Sequence, residues 1–328
     1  MDLSDKTQLI QYLKLNGLYT KHSLGQNFLV DREVLEKIVE TAEIAPDDLV
    51  IEIGPGVGTL TVELVKKAGK IIAVEMDDKL AELLGQLFHC SIVPLLGSKD
   101  NRATCPSGRR VEQSSNLEII NADILKLNIS ELTKDCPAYK VVANIPYYIT
   151  SKILQLFLTL ENKPESITLL VQKEVAERIC AKPGHLSVLA ISVQAYGEPE
   201  IISVVPKESF FPAPAVDSAI IRIKTHKFRR VGESESRREK LEKTLPLSLS
   251  ATQSLGEKAF FRTVHIGFAS KRKTLANNLS AGYHIDKTTA SAIIKSVGLS
   301  ENVRAQELSI EDWAKFAQTL NQELRITN

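Results

Sequence analysis

The chain has 328 residues with 41 Lys or Arg against 40 Asp or Glu, so its formal charge at pH 7 is +1 and neither a polybasic nor a polyacidic protein is in question. A hydrophobic fraction of 43% and a charged fraction of 25% are those of a folded globular protein, long enough for one large and one smaller domain. No apolar run approaches the roughly 20 residues that cross a bilayer, so no membrane role is expected. The start carries Asp2 and Asp5 with Lys6 and Lys14, unlike a secretion signal or a transit peptide, and a cytoplasmic location is the expectation. Cys90, Cys105, Cys136 and Cys180 form no C-x-x-C pair, so reduced thiols and no metal site are expected.

Short β-branched runs alternate with helical spacing through the first two thirds. The strands expected in chain order are Leu49–Ile53, Ile71–Glu75, Leu117–Ile120, Val141–Asn144, Ile167–Val171, Ile201–Val205 and Ala219–Ile223. Between them, residues 60–68, 79–88, 151–160, 173–179 and 186–196 have the 3.6-residue period of amphipathic helices. This is the pattern of a seven-stranded, doubly wound parallel α/β sheet over residues 1–225. Beyond residue 258 only helical periods remain, at 259–268, 270–279, 287–297 and 310–320, so 259–328 is read as a small all-helical domain. Segments 89–116 and 226–258 are rich in Ser, Gly, Pro and charge, and read as a surface insertion and an inserted linker.

The near-neutral total hides an uneven distribution. From Arg222 to Asn278 there are 14 Lys or Arg against 5 Glu and no Asp. Such a stretch suits a polyanion contact on one side of the protein, with a merely solvated basic linker as the alternative.

A strand runs straight into glycines at Leu49-Val-Ile-Glu-Ile-Gly54-Pro-Gly56-Val-Gly58-Thr-Leu60. Glycine lets the backbone approach a ligand and adopt positive φ. The dinucleotide pattern G-x-G-x-x-G fails because position 59 is Thr59, whereas E-x-G-x-G-x-G is met by Glu52, Gly54, Gly56 and Gly58; this spacing resembles methyltransferases that use S-adenosylmethionine. Glu75 ends the next strand, where a carboxylate accepts ribose hydroxyls. Asp123, ending the third strand, is placed either to accept from an adenine amino group, with Ile124 against the ring, or to cap the following helix.

Asn144-Ile145-Pro146-Tyr147 ends the fourth strand, where open α/β sheets form their ligand crevice. An exocyclic adenine amine is a weak nucleophile because its lone pair is delocalised into the ring. An Asn carbonyl together with the carbonyl of residue 145 or 146 would accept its two N–H groups, while Tyr147 stacks on the base and Phe210 is the candidate for the other face, with a rigid hydrophobic linker the alternative reading of Phe210-Phe-Pro. A plain strand-ending turn is the alternative reading of the tetrapeptide.

With these residues in view, the sequence resembles the ribosomal RNA adenine N6,N6-dimethyltransferases, and among them the bacterial small-subunit type. Lys21-His-Ser-Leu-Gly-Gln-Asn27-Phe-Leu29 is similar to that family's N-terminal motif, and Phe268-Ala-Ser-Lys271-Arg272-Lys273-Thr-Leu-Ala-Asn-Asn278-Leu to a motif in its helical domain. The resemblance implies a Rossmann-like methyltransferase sheet and S-adenosylmethionine held by Asn27, Leu29, Gly54, Gly56, Glu75, Asp123 and Asn144. It implies an adenine held by Asn144, Tyr147 and Phe210, and RNA gripped by Lys271, Arg272 and Lys273. The substrate implied is small-subunit rRNA within an immature ribosomal subunit, met by a monomer. The alternatives are the large-subunit rRNA methyltransferase of the macrolide-resistance type and an RNA-binding assembly factor that keeps the fold without catalysis.

Overall fold

The computed structural model describes residues 2–18, 26–90, 92–94, 116–136, 138–226 and 249–326. In chain order the elements are α1 Lys6–Leu15, β1 Phe28–Leu29, α2 Arg32–Thr41, β2 Leu49–Ile53, α3 Thr59–Val65, β3 Lys70–Glu75, α4 Asp78–Phe88, β4 Ile92–Pro94, β5 Leu117–Asn121, α5 Ile129–Leu132, β6 Tyr139–Asn144 and α6 Thr150–Leu158. They continue with β7 Ser166–Gln172, α7 Lys173–Ile179, α8 Val188–Gln194, β8 Gly197–Val205, β9 Phe210–Phe211, β10 Ser218–Thr225, α9 Leu249–Gly267, α10 Leu275–Tyr283, α11 Lys287–Ser296 and α12 Ile310–Ile326. No helix among the described residues is long and apolar enough to cross a membrane.

All seven expected strands lie in one sheet, of order β4-β5-β3-β2-β6-β7-β10-β8. The eighth member, β4, is an edge strand inside the segment 89–116 read as an insertion; residues 91 and 95–115 of that segment lie outside the described residues. From β4 to β7 every pairing is parallel, but β10 runs antiparallel to both β7 and β8. The all-parallel expectation is corrected there. Parallel neighbours need a crossover that covers the sheet, and the connection from β8 to β10 holds only a short 3-10 turn and the two residues of β9.

The chain divides into two compact units, residues 1–177 with 197–225, and residues 178–196 with 226–328. Residues 178–196, which sequence spacing puts in the first domain, therefore pack with the helices. Two observations explain it: Gly184 and Leu186 donate their N–H groups to the Gln306 carbonyl, and the Tyr196 ring stacks on Phe261 at 5.8 Å. Residues 227–248 of the expected linker lie outside the described residues. The helical unit closes on Trp313, fully buried, its indole N–H donating to the Ala305 carbonyl at 3.2 Å and its ring stacked on Phe268 at 5.8 Å.

In the sheet unit, β2 is buried along its whole length, as expected of a central parallel strand covered on both faces. Its neighbours are β3 on one side and β6 on the other, so the winding reverses at β2 and a crevice opens at the carboxyl ends of β2 and β6. Helix caps fix the surrounding layers: Asp31 accepts from the Val34 N–H to start α2, and Asp77 accepts from Lys79 and Leu80 to start α4. A second apolar cluster joins Leu3, Leu9 and Leu13, on and just before α1, to Phe28, Val57, Leu80 and Leu83, so the N-terminal helix packs against the glycine turn.

Gly58 shows why the third glycine of that turn is needed. It opens α3 at φ +90°, and a Cβ built there would lie 2.8 Å from Leu84 Cδ1 on α4. Gly58→Ala combines left-handed strain with overpacking, so it should destabilise the protein by about 2 kcal/mol or more. Urea unfolding of the purified variant checks this; a midpoint equal to that of the wild type would refute it.

Candidate active site

A cavity of about 310 Å³ lies at the reversal point, all of it in the sheet unit. Its wall takes in Asn27, Leu29, Gly54, Gly56, Glu75, Asp123, Asn144 and Tyr147, which is every expected cofactor and amine residue except Phe210. Of the expected N-terminal motif, residues 21–25 lie outside the described residues.

The glycine turn is built for close approach. Gly54 has φ +66°, and a Cβ there would point toward the Asn144 carbonyl, 4.0 Å away. Glu75 holds the turn in place: the Gly56 N–H donates to Oε2 at 3.0 Å and the Asp77 N–H to Oε1 at 2.9 Å. Burial nevertheless raises the Glu75 pKa, because the two amides offset only part of the cost of desolvating a carboxylate. Each oxygen keeps a second lone pair for a ligand hydroxyl.

Glu52 is the residue that sequence reasoning used only for spacing. It sits next to the last residue of β2, 1% exposed, and neither of its oxygens has a hydrogen-bond partner. Burial pushes its pKa up to about 8; the Thr61 hydroxyl lies close enough to lower it somewhat without reaching hydrogen-bond geometry, and Glu75 raises it further. An acid inside an otherwise apolar buried strand was the available signal, since a carboxyl is not kept there without a reason.

Asp123 caps the 3-10 turn Ile124–Lys126 by accepting from the Leu125 N–H at 3.0 Å, and its other oxygen lies 3.7 Å from the Lys126 ammonium. The capping reading is thus observed, on a side chain that also borders the cavity. Asn144 donates from Nδ2 to the Asn27 carbonyl at 3.4 Å, which leaves its Oδ1 as an acceptor. The Tyr147 hydroxyl bonds Ser218 Oγ at 2.8 Å, which anchors the ring in place. Burial raises the Tyr147 pKa, so the phenol stays neutral.

Phe210 is corrected by the structure. It is 1% exposed, pairs with Leu29 across the β1–β9 ladder and packs in the main core with Leu35 and Ile38, so its face is not offered to a base. Lys271, Arg272 and Lys273 are exposed, but on the turn between α9 and α10 rather than in a helix starting at residue 270. The turn is tied down by Asn278, whose Nδ2 donates to the carbonyls of Gly267 at 2.6 Å and Ser270 at 3.0 Å.

The winding of the sheet and a glycine cradle at its reversal point place the protein among α/β enzymes of the methyltransferase fold. Known proteins narrow this further. The model of the family described as ribosomal RNA adenine dimethylase matches residues 17–93 and 99–238. A protein of Dehalococcoides mccartyi strain CBDB1 named ribosomal RNA small subunit methyltransferase A is 38% identical over 299 residues, 91% of this chain and 88% of that one. One of the same name from Lachnoclostridium phytofermentans is 34% identical over 98% of this chain and 99% of its own. Among solved structures, the 23S rRNA methyltransferase ErmE aligns with TM-score 0.62 at 25% identity, covering 90% of this chain and all of that one. A dimethyladenosine transferase of Plasmodium falciparum shares the fold at TM-score 0.63 and 22% identity, over 89% of this chain and 97% of that one. The chain belongs to the ribosomal RNA adenine dimethylase family.

The orphaned acid yields a test. Between its unfolded value of 4.5 and about 8, folded Glu52 keeps a proton that the unfolded chain has released. Its burial therefore makes stability fall as pH rises through that window. Glu52→Gln removes this dependence, so the variant's urea midpoint should vary less between pH 5 and pH 8 than the wild type's. Equal slopes for the two proteins would show that Glu52 is not held protonated.

Proposed function

We propose that this protein transfers methyl groups from S-adenosylmethionine to the exocyclic N6 of two adjacent adenines near the 3′ end of small-subunit rRNA, acting as a monomer on an immature ribosomal subunit in the cytoplasm. The observation that carries the reading is Asn144 at the end of β6, with Nδ2 engaged by the Asn27 carbonyl and Oδ1 left to accept, on the wall of the cavity that the glycine turn also lines. The relatives at 34% to 38% identity that bear the small-subunit name favour that substrate over the 23S rRNA of ErmE, at 25%.

The residues present suit the cofactor. Glu75 has lone pairs left for ribose hydroxyls, Asp123 borders the wall for an adenine amino group, and Glu52 offers two unpartnered buried oxygens to an ammonium. That positive charge would draw the Glu52 pKa back down. When bound, S-adenosylmethionine supplies an electrophilic methyl on a sulfonium. What the chain's own residues contribute is position. Asn144 Oδ1 and a backbone carbonyl of residue 145 or 146 accept the N–H groups of the target amine and turn its lone pair out of conjugation. Tyr147, anchored through Ser218, stacks on the base. No strong base is needed, since the amine becomes acidic once it carries the new methyl and loses its proton to water.

Removing the acceptor leaves the amine poorly held, so Asn144→Ala should slow single-turnover methyl transfer by roughly 10²–10³ while RNA binding persists. Labelled cofactor with immature small subunits and, separately, large subunits, followed by mapping of the labelled nucleotide, distinguishes the substrates. Label in large subunits alone would overturn the reading, as would a variant rate within about threefold of wild type, far from the loss expected of a deleted transition-state contact.

We assign Lys271, Arg272 and Lys273 to phosphate contact. Changing all three to Ala should weaken RNA binding and lower the slope of log affinity against log salt by about 2, since each phosphate contact contributes a little under one. Cofactor affinity should not change. An unaltered slope in a filter-binding titration would remove this turn from the interface.

A further inference from the structure

Among the described residues, five large apolar or aromatic side chains are exposed: Leu15, Met76, Tyr148, Val204 and Val216. Two of them, Met76 and Tyr148, line the same cavity. Met76 directly follows Glu75, on the side given to the cofactor. Tyr148 takes no part in holding the amine, yet its side chain stays 61% exposed while Tyr147 beside it is half-buried and bonded to Ser218. It lies on the 3-10 turn Tyr147–Ile149 that leads into α6. Lys152, one helical turn further on, is exposed, borders the cavity as well, and makes no hydrogen bond or ion pair with any described residue. An aromatic face and an unpaired ammonium four residues apart match the two halves of a single-stranded nucleotide, its base and its phosphate.

We infer that Tyr148 and Lys152 form a second subsite at the cavity mouth, for the nucleotide next to the adenine being methylated, with Tyr148 stacked on its base and Lys152 against its phosphate. The inference rests on the proposed function and extends it outward from the reacting amine. An amine cannot reach the methyl donor while its base is stacked, so the target leaves its neighbours, and the neighbour is left with one bare face. An exposed ring at the mouth replaces the lost stacking partner. No hydrogen bond is formed by the Tyr148 hydroxyl among the described residues, so the ring alone should matter.

The test uses small subunits reconstituted with rRNA whose 3′ end is ligated from a synthetic oligoribonucleotide, carrying at each position flanking the target either the natural base or an abasic ribose. With the wild-type protein, one abasic flank should lower kcat/KM by about tenfold, the weight of a single base–aromatic stack. Tyr148→Ala should lower kcat/KM on the natural substrate to a similar extent and then be indifferent to the abasic site, while Tyr148→Phe behaves as wild type. Lys152→Gln should lower the salt slope of RNA affinity by about 0.7. KM for S-adenosylmethionine should be unchanged in all three variants. If the abasic and Tyr148→Ala losses multiply instead of merging, or if neither flank responds, the subsite is refuted. Failure of the wild-type protein to methylate any of these substrates would instead refute the proposed function.

Discussion

The parallel pairing of β2 with β6, in the register that sets Ile53 against Ala143, decides what else the molecule can do. One residue beyond that pair, Gly54 and Asn144 come side by side, so a turn able to take positive φ meets a side-chain amide at the one place where the winding of the sheet reverses. A slip of one residue would turn every side chain of β6 to the opposite face. Glu75 ends the strand on the other side of β2 and clamps the turn through the Gly56 amide, so three adjacent strand ends act as one rigid frame.

That frame carries two buried acids that are held differently. Glu75 is satisfied by two backbone amides, whereas Glu52 has none. A wholly buried carboxyl without partners is a cost to the fold, and a cation held against it would offset that cost, turning stability withheld from the fold into affinity.

Much of the frame was legible in the sequence because its signals are local. The Ile and Val runs of β2, β3, β5, β6 and β7 stand out along the chain; the glycines follow directly on β2, and Asn144 is the last residue of β6. What escaped depends on tertiary contacts. The burial of Phe210 follows from its ladder partner Leu29, 181 positions earlier in the chain. The reversal of β10 follows from a connection too sparse to cross the sheet, and the placement of residues 178–196 from amides that reach Gln306. Tyr148 escaped for another reason: two consecutive tyrosines look alike in a sequence, and only accessibility separates the anchored ring from the free one.

The cluster joining α1 to Phe28, Val57, Leu80 and Leu83 makes the first helix part of the ligand loop's foundation. Val57 lies between Gly56 and Gly58, so fraying of α1 withdraws apolar cover from the segment that must stay shaped to receive a ligand. Such a dependence runs both ways, because coupling between two equilibria is reciprocal. Whatever fills the cavity restrains the amino-terminal helix, and its amide protons at Leu9 and Leu13 become reporters of occupancy, exchanging more slowly with solvent deuterium as the loop below them is held.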